Sequence, residues 1–240
     1  MRGSQINRLS VFKDSRGVFV RREWPSIEIA QALGISPETE VAAQRLAAAQ
    51  GVAPPVIEFD PVRRFMLMPF IEGSPLESDW ILRRNRRIAV RELLERLRGI
   101  SSTALPSLDL AGRLGELQQR LALKNPPRAA RWAKHVEDAL AQATSVISTD
   151  HVLVHGDLNP PNIIVRCDGS LCLIDWEYAH SGHGDEDLAG LAASLPGHAT
   201  ELASWSLQPQ GFEQRRRLRT LLNAVWLDLA AISGSLASAD

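Results

Sequence analysis

The chain has 240 residues, of which 45% are apolar and 23% charged, with a formal net charge of -1. That composition describes a folded globular protein long enough to bury one large core or two smaller ones, and it excludes a disordered or fibrous chain. The near-neutral charge supplies no global field for nucleic acid or an anionic membrane, no apolar run approaches the roughly 20 residues of a bilayer span, and no leader pattern opens the chain. The expectation is a cytoplasmic protein with neither nucleic-acid nor membrane partners.

In chain order, "INRLSVFKDSRGVFVRREW" (6–24) predicts two strands joined by the polar turn "KDSRG". "SPETEVAAQRLAAAQG" (36–51) predicts a helix, with Ser36 as its cap, Pro37 at the first position, acids in the first turn and Gly51 as terminator. "PPVIEFD" and "RRFMLMPFIEG" give two more short strands, and "EGSPLES" reads as a linker. From residue 80 the apolar spacing turns helical through "ILRRNRRIAVRELLERLRGI", "LAGRLGELQQRLAL" and "AARWAKHVEDALAQATSVI". Between Ile147 and Ala179 short strands return, with Asp168-Gly169 closing a hairpin, and helices run from about Asp187 to the end. The basic runs at 83–87 and 214–219 border apolar helical patterns and read as solvated helix faces. Cys167 and Cys172 have no companion spacing for zinc or a disulfide framework, and read as small apolar residues in a reducing compartment.

The stretch "VLVHGDLNPPNIIV" (152–165), followed by "LIDWEYA", carries the chemistry. Phosphoryl transfer asks little covalent help of a protein; it needs metal-clamped phosphates and a carboxylate to orient the attacking hydroxyl. Asp157 sits at a strand end where a loop exposes it, and Asn162 and Asp175 offer the hard oxygen ligands that Mg²⁺ prefers. The hairpin folds Asn162 and Asp175 to one end of a two-strand unit.

"HGDLNPPN" followed by "LIDWE" resembles the catalytic and metal-binding loops of the aminoglycoside phosphotransferase and choline kinase superfamily, relatives of the protein kinases. Within it the bacterial choline kinase and thiamine kinase branches are most similar. The resemblance implies an α+β, two-lobed protein-kinase-like fold, with a small β-rich N-lobe over residues 1–72 that lacks its first strand and a mostly helical C-lobe over 73–240. It implies a kinase using Mg²⁺ and ATP, with GTP as the alternative, on a small-molecule hydroxyl: choline, a related amino alcohol or thiamine. An aminoglycoside acceptor, or an inactive nucleotide-binding homologue, are the rival readings.

Carried over position by position, Asp157 is the catalytic residue and Asn162 and Asp175 hold the metal. Gly3, Ser4 and Asn7 of "GSQINR" form the loop over the phosphates, and Arg21 of "VFVRR" is the phosphate-contacting cation, with Glu40 as its orienting partner. Met68 and Phe70 of "LMPFIEG" lie where backbone would meet the adenine. Phe19 shares a strand face with Arg21. Trp176, Glu177, Tyr178 and Trp226, with Trp205 as a further candidate, would hold a cationic substrate by aromatic faces and a carboxylate. Alternation puts Glu177 on the side of Asp175, with Trp176 and Tyr178 opposite. His155 and Asp187 are expected to support the site structurally, and His183, Asp185 and Glu186 are candidate polar groups on the substrate side.

Overall fold

In the computed structural model, which describes residues 7–77, 79–143 and 150–237, the first turn is closed by its own aspartate. Asp14 accepts from the Arg16 backbone N–H at 2.7 Å and so joins β1 (Arg8–Asp14) to β2 (Gly17–Glu23). Next comes α1 (Ile27–Leu33), a short helix absent from the sequence reading, capped by Ser26. The foreseen helix follows as α2 (Pro37–Ala49), with Ser36 accepting from Thr39 N–H and Glu38 and Glu40 in the first turn. β3 (Glu58–Asp60) and β4 (Phe65–Pro69) complete an antiparallel sheet in the order β1-β2-β4-β3.

Strand alternation decides what each face of this sheet does. Arg22 pairs in register with Met66 and Val20 with Met68. Met66 and Met68, together with Trp24 just past β2, pack on Ala30, Ile35 and Val41 of the helical segment, with Val20 against the same core. Full burial of a Met, Ile or Val side chain such as Met66, Ile35 or Val41 contributes about 1.5–3 kcal/mol to this contact.

The segment read as a linker contains β5 (Gly73–Pro75). Three helices follow: α3 (Arg84–Arg98), α4 (Leu110–Lys124) and α5 (Pro126–Gln142). The chain then returns to strands with β6 (Val152–Val154), β7 (Ile163–Arg166), β8 (Leu171–Leu173) and β9 (His180–Gly182). β5 pairs with β7 and β7 with β8, all antiparallel, while β6 pairs with β9. The β7–β8 hairpin closes through Arg166 N–H donating to Ser170 O at 2.9 Å, around the Asp168-Gly169 turn. The last helices are α6 (Glu186–Ser194), α7 (Ala199–Ala203) and α8 (Pro209–Ala237).

The chain divides into two compact units. One comprises Gln5–Ser107 with Asp150–Asp187. Here α3 turns Val90, Leu93, Leu94 and Leu97 inward and lies beside β6. The other is drawn from Leu108–Thr149 and Leu188–Asp240. Its core interleaves Leu110, Leu114, Leu117 and Leu121 of α4, spaced to share one helix face, with Ala129, Val136 and Ala139 of α5 and Leu218, Leu221 and Val225 of α8. Arg215 and Arg219, read in sequence as part of a solvated face, are buried at 2% and 5% exposure. Cys167 is exposed and Cys172 buried, both as free thiols. Among the described residues no helix is long and apolar enough to cross a membrane.

Candidate active site

The chain leaves β6 at Val154 and turns sharply at Gly156, where φ is +83°. A Cβ there would lie 2.1 Å from the Tyr178 carbonyl oxygen, so only glycine fits. The turn strands two backbone donors inside the protein, and Asp187 in the first turn of α6 takes both. Its Oδ2 accepts from His155 N–H at 2.8 Å and its Oδ1 from Gly156 N–H at 3.0 Å. His155 is fully buried against the Trp176 ring, with centroids 4.6 Å apart. Its Nε2 faces the Ile174 carbonyl at 2.9 Å and must donate, which leaves Nδ1 to accept from Asp157 N–H at 3.3 Å.

Asp157 emerges from this braced turn. Its Oδ2 accepts from Asn162 Nδ2 at 3.0 Å, and the same amide donates to the Asp157 carbonyl at 2.9 Å. Both protons of that amide are thereby directed at Asp157, and Oδ1 is the acceptor end of Asn162. Pro160–Asn162 forms a single 3₁₀ turn leading into β7. Register then carries Asn162 to Asp175: Ile163 pairs with Leu173, Ile174 N–H donates to Asn162 O at 3.1 Å, and Asp175 is the next residue. Asp175 has φ of +69°, a left-handed conformation uncommon outside glycine.

Facing Asp175 is a cation that the sequence reading placed one residue too early. Arg22, with a side chain 5% exposed, bonds Glu40 through Nε at 2.8 Å, and Asp175 and Glu177 through Nη2 at 2.7 and 3.0 Å. Arg21 lies on the opposite face of β2, paired to Glu23 at 2.9 Å and stacked 3.9 Å over the Phe65 ring. The pairing of Glu40 with Arg21 is therefore corrected to Arg22. A one-residue step along a strand reverses the face, and the face carrying Val20 and Trp24 is the one that meets α2.

Three carboxylates share this one guanidinium. Burial works against the Arg22 charge, but Glu40, Asp175 and Glu177 outweigh it and hold its pKa above the ordinary value. Complete burial pushes Glu40 up, opposed by Arg22 and by the Trp24 indole N–H, 2.6 Å from Oε2. Glu177 is pushed up to about 7, by burial first and by the neighbouring Asp175 charge second.

Other expected site residues fall as follows. Asn7 is buried and donates to Glu177 Oε2 at 2.5 Å; Gly3 and Ser4 lie outside the described residues. Met68 is buried, its sulfur accepting from Gln44 at 3.4 Å, and Phe70 is 44% exposed at the end of β4. Trp176 is fully buried and donates to Leu173 O at 3.3 Å, so its faces are occupied by packing and unavailable to a ligand. Tyr178 packs on the sheet–helix core, and Trp226 packs among α4, α5 and α8 in the other unit. The Trp176 and Tyr178 rings, expected in the aromatic cage, are thus engaged in packing. His183, Asp185 and Glu186 are also buried: Asp185 bonds Arg98 at 2.7 Å, and Glu186 accepts from His183 N–H at 2.9 Å and faces His180 Nε2 at 3.0 Å. They stiffen the turn leading to Asp187.

Among the described residues no group of three or more His, Cys, Asp or Glu side chains is disposed as a metal cage. Mg²⁺ does not ask for one, since it keeps waters and substrate phosphates in its shell and takes one or two protein oxygens. Asn162 Oδ1 and the Asp175 carboxylate are donors of that type.

Residues 5–223 match the model of the phosphotransferase enzyme family. The chain belongs to that family. Solved structures of similar fold include choline kinase LicA from Streptococcus pneumoniae, with a TM-score of 0.72 and 18% identity over 98% of this chain and 85% of that one. An ethanolamine kinase from Plasmodium vivax matches at 0.70 and 16% identity, over 97% and 76% of the two chains. Amicoumacin kinase hAmiN, in complex with AMP-PNP, Ca²⁺ and Ami, matches at 0.69 and 14%, over 98% and 84%. At such identities the likeness carries the fold alone, and that fold is the kinase-like α+β fold expected of this phosphotransferase. No curated protein sequence matches it.

Proposed function

We propose that this phosphotransferase is a Mg²⁺-dependent small-molecule kinase that moves the γ-phosphate of ATP to a substrate hydroxyl. The observation that carries the reading is the union of Asp157, Asn162 and Asp175 on one loop-and-hairpin unit, braced from behind by Asp187.

In phosphoryl transfer a protein contributes mainly position and electrostatics. Asp157 orients the acceptor hydroxyl and takes its proton. Asn162 fixes the rotation of that carboxylate, and His155 and Asp187 hold the backbone from which it projects. Asn162 and Asp175 would hold Mg²⁺, which when bound neutralises charge on the phosphate oxygens. Arg22, held by Glu40, supplies a fixed cation toward the phosphates, with Asn7 beside them. Met68 and Phe70 mark the segment that meets the purine. Residues 1–72 form the nucleotide lobe in this reading, and 73–240 the catalytic and substrate lobe.

The AMP-PNP bound to hAmiN supports an adenine nucleotide, with GTP the alternative. For the acceptor, likeness to a choline kinase and an ethanolamine kinase supports an amino alcohol. Its cationic end must be met by residues other than Trp176 and Tyr178, whose rings are used in packing. The test is Mg²⁺-dependent release of ADP and GDP against choline, ethanolamine, thiamine and aminoglycosides, with Asp157→Asn as the blank. Turnover on an amino alcohol that Asp157→Asn abolishes is the expected result; an Asp157→Asn protein that keeps full turnover defeats the mechanism.

A further inference from the structure

We infer that Trp24 is a positioning residue of the nucleotide site, acting through Glu40 on the Arg22 guanidinium. The inference rests on the reading of Arg22 as the phosphate-facing cation and adds the group that sets its direction.

The Glu40 side chain is fully enclosed, and its two oxygens face two different partners. Oε1 stands 2.8 Å from Arg22 Nε as an ion pair, and Oε2 accepts a hydrogen bond from the Trp24 indole N–H at 2.6 Å. The terminal torsion of a glutamate is broad and intrinsically soft, so the ion pair alone leaves the carboxylate plane free to swing. The directional indole bond fixes it, and with it the line along which Glu40 holds Arg22.

That line matters because Arg22 is pulled from two sides. Its Nη2 reaches Asp175 and Glu177, and the Nε–Glu40 ion pair ties it to α2. A Glu40 that rotated away would surrender the guanidinium to the two carboxylates at the hairpin end, where its charge would be spent on them. Trp24 is well placed to prevent this because it cannot move either. It is 5% exposed, meets Phe59 edge-on at 5.7 Å, and has its backbone N–H bonded to Arg64 O at 3.0 Å. An indole N–H is a donor without charge. It satisfies a buried carboxylate while adding no second cation to compete for Asp175 and Glu177.

The test measures the affinity of the whole chain for the β,γ-imido analogue of ATP with Mg²⁺, by calorimetry, beside thermal unfolding of each variant. Trp24→Phe keeps an aromatic ring and loses the donor; it should bind about tenfold more weakly, the share of one charge-assisted hydrogen bond that reaches Arg22. Phe59→Leu loosens the same packing without touching Glu40, and should lower the melting temperature while leaving affinity within about twofold. In an Arg22→Gln background, which has no cation for Glu40 to hold, Trp24→Phe should add less than about a twofold loss. If Trp24→Phe does not fold, 3-benzothienylalanine at position 24 keeps the ring volume without the N–H and gives the same reading.

Unchanged affinity in the Trp24 variant, or a full penalty persisting in the Arg22→Gln background, overturns the inference while leaving Arg22 its role. An Arg22→Gln protein with undiminished affinity removes the phosphate assignment itself, and the inference falls with it.

Discussion

Arg22→Gln and Arg21→Gln differ by one position on β2, and Arg22→Gln should be the costlier. Arg22 makes contacts of 2.8, 2.7 and 3.0 Å to three carboxylates from a side chain only 5% exposed. Removing one partner of a buried ion pair typically costs about 3–5 kcal/mol, because the partner charge is left behind. Glu40, its carboxyl already raised by burial, can take up a proton and avoid part of that penalty, so the lower end of the range applies. For a chain of this size about 3 kcal/mol corresponds to a fall of roughly 6–12 °C in melting temperature. Arg21 and Glu23, at 37% and 34% side-chain exposure, form a surface pair contributing at most about 1 kcal/mol. Stacking on Phe65 adds about 0.5–1 kcal/mol. Arg21→Gln should therefore cost no more than about 2 kcal/mol, or roughly 4–8 °C. Scanning calorimetry at fixed pH, with nucleotide titrations on the same samples, checks both halves: only Arg22→Gln should also weaken nucleotide binding. Equal destabilisation by the two variants, or a nucleotide defect confined to Arg21→Gln, would refute the assignment of the buried cation to position 22.

Three further outcomes are expected. Asp175→Asn should lower Mg²⁺-dependent turnover at least about a hundredfold yet change unfolding free energy by no more than about 1 kcal/mol, because an amide oxygen still accepts from Arg22, asparagine tolerates positive φ, and one like-charge contact with Glu177 disappears; urea melts beside the coupled assay decide it. Gly156→Ala should cost more than about 3 kcal/mol by urea unfolding, since left-handed backbone alone costs an alanine about 1–2 kcal/mol and its Cβ would also meet Tyr178 O at 2.1 Å. Trp176→Phe should lower stability by about 1–3 kcal/mol while leaving the acceptor KM within about twofold; a large KM rise in a stable variant would return Trp176 to the substrate cage.

The parts of the fold legible in sequence were those whose signals are local. The turn at "KDSRG", the Ser36-Pro37 helix start, and the loop and hairpin from His155 to Asp175 each carry their determinants within a few residues, so spacing alone located them. Position 22 was less accessible because the choice between adjacent arginines depends on which strand face meets a helix. A clue was nonetheless present: Phe19, a bulky neighbour for a phosphate-binding residue, shares the face of Arg21, whereas residue 22 lies between Val20 and Trp24. β5 sits in a segment of linker composition and exists through a long-range partner, β7, that no local pattern announces. The aromatic residues after Asp175 misled for a related reason. Tryptophan beside an acid suits both a cation cage and a buried brace for His155, and burial, which decides between them, is a tertiary property. Trp24 carried no signal at all until its indole was seen against Glu40.

The polar centre of this unit is arranged at a cost to folding. One guanidinium serves Glu40, Asp175 and Glu177, so the cluster holds more negative charge than it neutralises when all three are ionised, and Glu177 is pushed up to about 7, by burial first and by the Asp175 charge second. Asp175 sits at a φ of +69°, a conformation that costs a non-glycine residue about 1–3 kcal/mol unless its surroundings fix it. Neither feature improves the packing, and a glycine and an uncharged residue would suit the same backbone better. Strain and charge excess coincide at the one place where the loop of Asp157 and the hairpin of Asn162 and Asp175 meet Arg22. A cation added there, together with a polyanion to engage Arg22, would satisfy the surplus carboxylate and give the guanidinium a second use. On the proposed reading, binding the two together is favoured over binding either alone, which is the behaviour a metal–nucleotide kinase requires of its ground state.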